Sequence, residues 1–222
     1  MTLAQNAKNF FKSKVFREYL ESLRYSFYTM RRPLDGFWDL IHEKRGSIAA
    51  ANTFVILAVI IEILRIVLTG FQFNIVFMEV FNAYSVVLQV VVPVLLWTVA
   101  NWCLTTLFDG KGKMSQVYMG IAYAYVPIIL INVILIPLSH ILTFEEGAVY
   151  FALTSVSTIW FVLLLLCAMK EIHDYTFFKT IVTSLLTIFA IGVILFIFMM
   201  FFAVVSEGIA YFYAIYQELL YR

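Results

Sequence analysis

Apolar positions along the chain gather into five long runs, at about residues 48–68, 84–108, 117–139, 148–169 and 180–206. Each is about long enough to cross a hydrocarbon core of roughly 30 Å as a helix. The pattern predicts an all-α, polytopic membrane helical bundle with five transmembrane helices. Residues 1–47 form a segment ahead of the bundle. Residues 207–222 form a tail whose Tyr211, Phe212, Tyr213, Tyr216 and Tyr221 suit a helix lying in the membrane interface.

The first segment has a different period. Phe11, Val15, Tyr19, Leu23 and Phe27 step by four, with Phe16 and Leu20 beside them. Lys14, Arg17, Glu18, Glu21 and Arg24 fall on the opposite face. This spacing predicts one amphipathic helix over Leu3–Met30. Such a helix lies in the interface or on a partner; a helix covering the ends of the bundle has the same pattern. Arg31-Arg32-Pro33 ends it, because proline restricts the residue before it. Asp35 then opens a short helix with Phe37, Leu40 and Ile41 on one side. Gly46-Ser47 turns the chain towards the bilayer.

Polar residues inside the apolar runs are the candidates for function, because such residues are costly in lipid. Glu62 and Arg65 lie three apart on the first span and can pair, which reads as a local ion pair near the outer interface. The second span carries Gln89, Pro93 and Asn101, and Asn101 is placed to hydrogen-bond across a helix interface. In the third, Gly120, Ala122 and Ala124 admit another backbone, Tyr118, Tyr123 and Tyr125 supply hydroxyls, and Pro127 kinks the helix. Ser155, Ser157 and Thr158 on the fourth span are expected to face protein.

Charge sets the orientation. The chain is 63% hydrophobic and 13% charged, with a net charge near zero. Nine of its 15 basic residues precede Ile48. The segments from the N-terminus onward then hold nine, none, two, none, two and one. The positive-inside rule therefore predicts a cytoplasmic N-terminus and an extracytoplasmic C-terminus in a multi-pass cell-membrane protein. The turn Asp109-Gly110-Lys111-Gly112-Lys113 lies on the cytoplasmic side and reads as a tight connection. The early basic block interleaves with apolar residues at helical spacing, which points to an anionic leaflet rather than nucleic acid.

Candidate chemistry is sparse. Cys103 and Cys167 fall inside spans and read as packing residues. His42, His140 and His173 are far apart, and no Cys/His cluster has metal spacing. His173-Asp174 reads as a solvated loop with neither nucleophile nor metal partner nearby. No HExxH, GxSxG or paired membrane aspartates are present. The expectation is no enzyme, no cofactor and no metal. Candidate functional or packing positions are Glu62, Arg65, Asn101, Gly120, Tyr123 and Pro127.

Three stretches carry a family resemblance. They are Pro33…Gly36-Phe37-Trp38…Glu43-Lys44-Arg45-Gly46-Ser47, then Tyr118…Gly120…Tyr123…Tyr125…Pro127, then Lys170-Glu171-Ile172-His173-Asp174-Tyr175. Their order on five spans resembles bacterial members of the Yip1 family, from Pro33 to the end of the fifth span. The resemblance implies five spans with a cytoplasmic N-terminus. It also implies a non-catalytic scaffold or accessory subunit, because bacterial members often accompany carbohydrate ABC transporters. The partners implied are the lipid bilayer and a permease-like membrane protein or a second copy. The alternatives are a small-solute or ion transporter and a membrane-shaping, lipid-interacting protein.

Overall fold

The computed structural model of the chain describes residues 14–74 and 81–221. Among them the regular structure is helical: α1 (Lys14–Arg31), α2 (Pro33–His42), α3 (Ile48–Leu68), α4 (Ala83–Leu107), α5 (Met114–Ala124), α6 (Val126–Ile141), a 3₁₀ turn at Phe144–Glu146, α7 (Gly147–His173) and α8 (Phe177–Leu220). Five helical stretches are long and apolar enough to cross a membrane, with α5 and α6 counting as one.

The third span is the centre of the bundle. Half of its most apolar window is buried, against none in the fifth span. Together α5 and α6 pack against α3, α4 and α7. Ala122 and Ala124 are wholly buried, and a Cβ on Gly120 would lie 2.7 Å from Ile172 Cδ1 and 3.2 Å from Ala168 Cβ. Small residues let α5 and α7 approach closely. The span breaks at Tyr125, and Pro127 falls in the first turn of α6, where its missing N–H removes no helical bond. Pro93, by contrast, sits inside α4, which continues through it from Ala83 to Leu107.

The basic turns and the two short helices share one end of the bundle. There Phe37 and Leu40 of α2 are buried in the core, and α2 lies on α7. The Ser47 hydroxyl accepts from Ala50 N–H at 3.1 Å and caps α3.

α1 buries a face rotated from the expected one: Tyr19 and Leu23 of the expected stripe pack against the core, but Phe27 and Leu20 do not. Phe27 is 51% exposed and Leu20 is 47% exposed, whereas Ser22, Ser26 and Thr29 are buried. A Cβ on Gly36 would lie 2.6 Å from Thr29 Cα, so α2 passes too close for bulky side chains. Ser26 donates to Leu23 O at 2.8 Å and Thr29 to Tyr25 O at 3.1 Å. Burying these hydroxyls leaves no donor unmet. Lys8, Phe10, Phe11 and Lys12 lie outside the described residues, as do Phe77 and Glu79 of the segment after α3.

Ser155 and Thr158 do not face protein as expected; of the three hydroxyls on α7 only Ser157 is buried. The other two donate to Phe151 O and Thr154 O one turn back, so exposure costs them nothing. The last helix also departs from the pattern. It runs unbroken for 44 residues, about 66 Å, and takes in the aromatic tail.

Candidate functional site: a polar knot at the basic end

The seam between α4 and α8 is built from small hydroxyl residues. Thr98 and Thr105 on α4 meet Thr180, Thr183 and Thr187 on α8, all buried. Each donates to a carbonyl of its own helix: Thr98 to Val94 O, Thr105 to Asn101 O and Thr187 to Thr183 O, at 2.6–2.8 Å. Asn101 cannot satisfy its amide in this way, so it bonds across the seam.

Its bonds fix a chain of protons. Thr187 gives its one hydroxyl hydrogen to Thr183 O. It can therefore only accept from Asn101 Nδ2, at 3.1 Å. The Asn101 amide oxygen then faces His173 Nε2 at 2.9 Å, and His173 must donate. His173 thus carries a proton on Nε2. A second N–H at the buried Nδ1 would meet no acceptor among the described residues, so the ring is neutral and Nδ1 keeps a bare lone pair. That nitrogen is buried without a hydrogen-bond partner among the described residues.

The turn between α4 and α5 closes over it. A Cβ on Gly110 or Gly112 would lie 2.8 Å from His173 Nδ1, and one on Gly112 would also lie 2.4 Å from Ile172 Cγ2. Only glycine lets the backbone pass the ring this closely. The two turns are then tied together. Tyr175 stacks on the His173 ring at 5.4 Å and donates to Phe108 O at 2.8 Å. Lys179 Nζ donates to the same carbonyl at 2.8 Å and lies 4.1 Å from the Tyr175 ring centroid. Lys111 and Asp174 make an exposed pair at 2.7 Å. The Lys111 ammonium, bonded to the Asp174 carboxylate, holds that acid below the ordinary carboxylate range. Asp109 and Asp174 both take left-handed backbone, with φ of 57° at each turn.

His173 is therefore not in a solvated loop, as the sequence suggested. Helix α7 continues to it, and the ring is 1% exposed. The 109–113 turn is likewise more than a connection. Sequence reasoning missed His173, Tyr175, Thr187 and the two glycines; the Gly-Lys-Gly spacing was the available signal.

Of the positions singled out beforehand, Asn101 is the centre of the knot. Gly120 lies beside it through Ile172 of α7. Tyr123 is buried and holds α1: its hydroxyl lies 2.6 Å from Ser22 Oγ and its ring meets Phe54 edge-on at 4.9 Å. Tyr118 similarly donates to Asn52 Oδ1 on α3 at 2.7 Å. Pro127 is buried in the third span without a place in the knot. Glu62 and Arg65 form a two-pronged pair at 2.5 and 3.0 Å, each partly exposed.

The three sequence stretches noted above thus converge. The first supplies α2 on α7, the second supplies Gly120 against Ile172, and the third contains His173 and Tyr175. The Yip1 domain family model matches residues 27–205. The chain belongs to the Yip1 family. No curated protein and no solved structure matches it. This Yip1 protein is an α-helical chain with several apolar helices, and most of α1 precedes the matched range.

Proposed function

We propose that this Yip1 protein is a non-catalytic membrane scaffold or accessory subunit that offers α8 to a membrane-protein partner. The observation that carries this reading is the exposure of that helix. Only Thr180, Thr183, Ser184 and Thr187 of α8 are buried, and none of residues 188–221 is. Phe198, Phe201 and Phe202 are each more than half exposed. A helix twice the thickness of a hydrocarbon core, held only near its start, presents a long apolar face to whatever lies beside it.

The knot supports a structural rather than catalytic role for the basic end. Its donors and acceptors are directed at one another, and the one free lone pair faces two glycines. The gathering of Lys111, Lys113, Lys170 and Lys179 at that end supports a cytoplasmic N-terminus. The resemblance to bacterial Yip1 proteins that accompany carbohydrate ABC transporters makes a permease the partner to look for.

The test is photo-crosslinking in membranes, with a benzophenone amino acid at Phe198 or Phe202, followed by mass spectrometry. A stoichiometric adduct to a permease supports the reading. An adduct to a second copy replaces the permease with a homo-oligomer, and adducts to lipid alone overturn the partner.

A further inference from the structure

The bundle accounts for one face of α1 and leaves the other bare. Ser22, Ser26 and Thr29 turn inward. On the opposite side Arg17, Leu20, Arg24, Phe27 and Arg31 fall within an arc of about 80°, at 3.6 residues per turn. All five are exposed. The three arginines make no hydrogen bond or ion pair among the described residues. This stripe holds no acid. Glu18 and Glu21 lie to one side of it, where they line a groove with Lys44 and Arg45 of the segment between α2 and α3.

The level of α1 decides what meets this stripe. Tyr19 Oη lies 2.7 Å from Thr53 Oγ1, and Thr53 is about 8 Å along α3 from its basic end. Ser22 meets Tyr123, which is about 14 Å along α5 from the same end. α1 also touches α6. It therefore lies along the flank of these spans near their basic ends, not beneath them, and its outward face points sideways. Headgroup regions add roughly 5–8 Å to each side of the hydrocarbon core, so the stripe faces the boundary between headgroups and acyl chains.

The chemistry of the stripe fits that boundary. Apolar side chains there enter the acyl layer, and guanidinium groups pair with phosphate oxygens. Three bases without a counter-acid favour a lipid of net negative charge over a zwitterionic one, which brings its own cation. A partner helix would need a continuous apolar seam, and here an arginine stands at every second position of the stripe. We propose that this face of α1 is a binding site for anionic phospholipid, with phosphate on Arg17, Arg24 and Arg31 and with Leu20 and Phe27 between the acyl chains. The site does not depend on which protein covers α8.

The test uses the full chain in nanodiscs of four parts phosphatidylcholine to one part phosphatidylglycerol. A benzophenone amino acid replaces Phe27, and the crosslinked lipid is identified by mass spectrometry. The expected adducts hold phosphatidylglycerol at least threefold above its share of the disc, while the same probe at Phe198 of α8 returns the disc composition. Arg17→Gln, Arg24→Gln and Arg31→Gln together should remove the enrichment at Phe27. Lys111→Gln with Lys113→Gln, which lowers the charge elsewhere at the basic end, should leave it. All three arginines are exposed, so the melting temperature should hold in the triple variant. Adducts in the disc ratio at Phe27, or no lipid adduct there, overturn the proposal without any variant. So does enrichment that survives the arginine changes or falls equally with the lysine changes. In native membranes, a protein adduct at Phe27 in place of lipid overturns it as well.

Discussion

His173 Nε2 lies 2.9 Å from the amide oxygen of Asn101, a residue 72 positions earlier on a different span. Replacing Asn101 by Leu leaves the His173 donor and the Thr187 acceptor buried and unmet. The expected loss is about 1–3 kcal/mol, read as a lower melting temperature of the protein in detergent. His173→Phe together with Asn101→Leu should lose less than the two single changes combined, because the pair acts as one unit.

Gly112→Ala places a methyl group against Ile172 and His173. It should destabilise by about 1–3 kcal/mol, with part of the loss restored when His173 is also changed to Ala. Gly208→Ala is the control. Nothing lies within 4 Å of its added Cβ, and alanine is the better helix former, so the melting temperature should hold or rise slightly.

Tyr123→Phe removes the hydroxyl that meets Ser22 and leaves the ring in place. The expected cost is about 1 kcal/mol, localised to α1. Hydrogen exchange should quicken over residues 17–30 and stay unchanged in α7.

Glu62→Gln leaves Arg65 half-buried without its counter-charge. Both side chains keep a quarter to a third of their exposure, so the loss should be about 1–2 kcal/mol, below that of a fully buried pair. Changing both residues to Gln should be less harmful than changing Glu62 alone. Lys111→Ala breaks a pair that is more than two-thirds exposed on both sides, and the melting temperature should not move.

Much of the fold was legible because lipid imposes a simple pattern. A run of apolar residues such as Ile48–Leu68 coincides with α3 residue for residue. Asn101 was legible as an interface residue because an amide inside an apolar run has few other uses. His173 was not. Its neighbours Lys170, Glu171 and Asp174 look solvated, and the burial comes from a glycine turn more than sixty residues earlier. α1 misled in the opposite way. Its large residues suggested the buried face, but the close pass of Gly36 selects small ones; Ser26 and Thr29 satisfy themselves locally, and Ser22 bonds Tyr123 of the third span. The break at Tyr125 and the unbroken course of α8 depend on packing and length that periodicity does not report.

The span that holds Asn101 leaves the ribosome well before its partners do. Its amide enters the bilayer when neither His173 nor Thr187 has been made, and it has to wait two more spans for the first and three for the second. Until then that helix carries an unmet polar group, and its hold in the membrane rests on its apolar length alone. Quality-control factors that sense polar residues in lipid would therefore find this protein half-made at one defined stage. Truncations that end after the third span should be cleared from the membrane, and those that reach past Thr187 should persist.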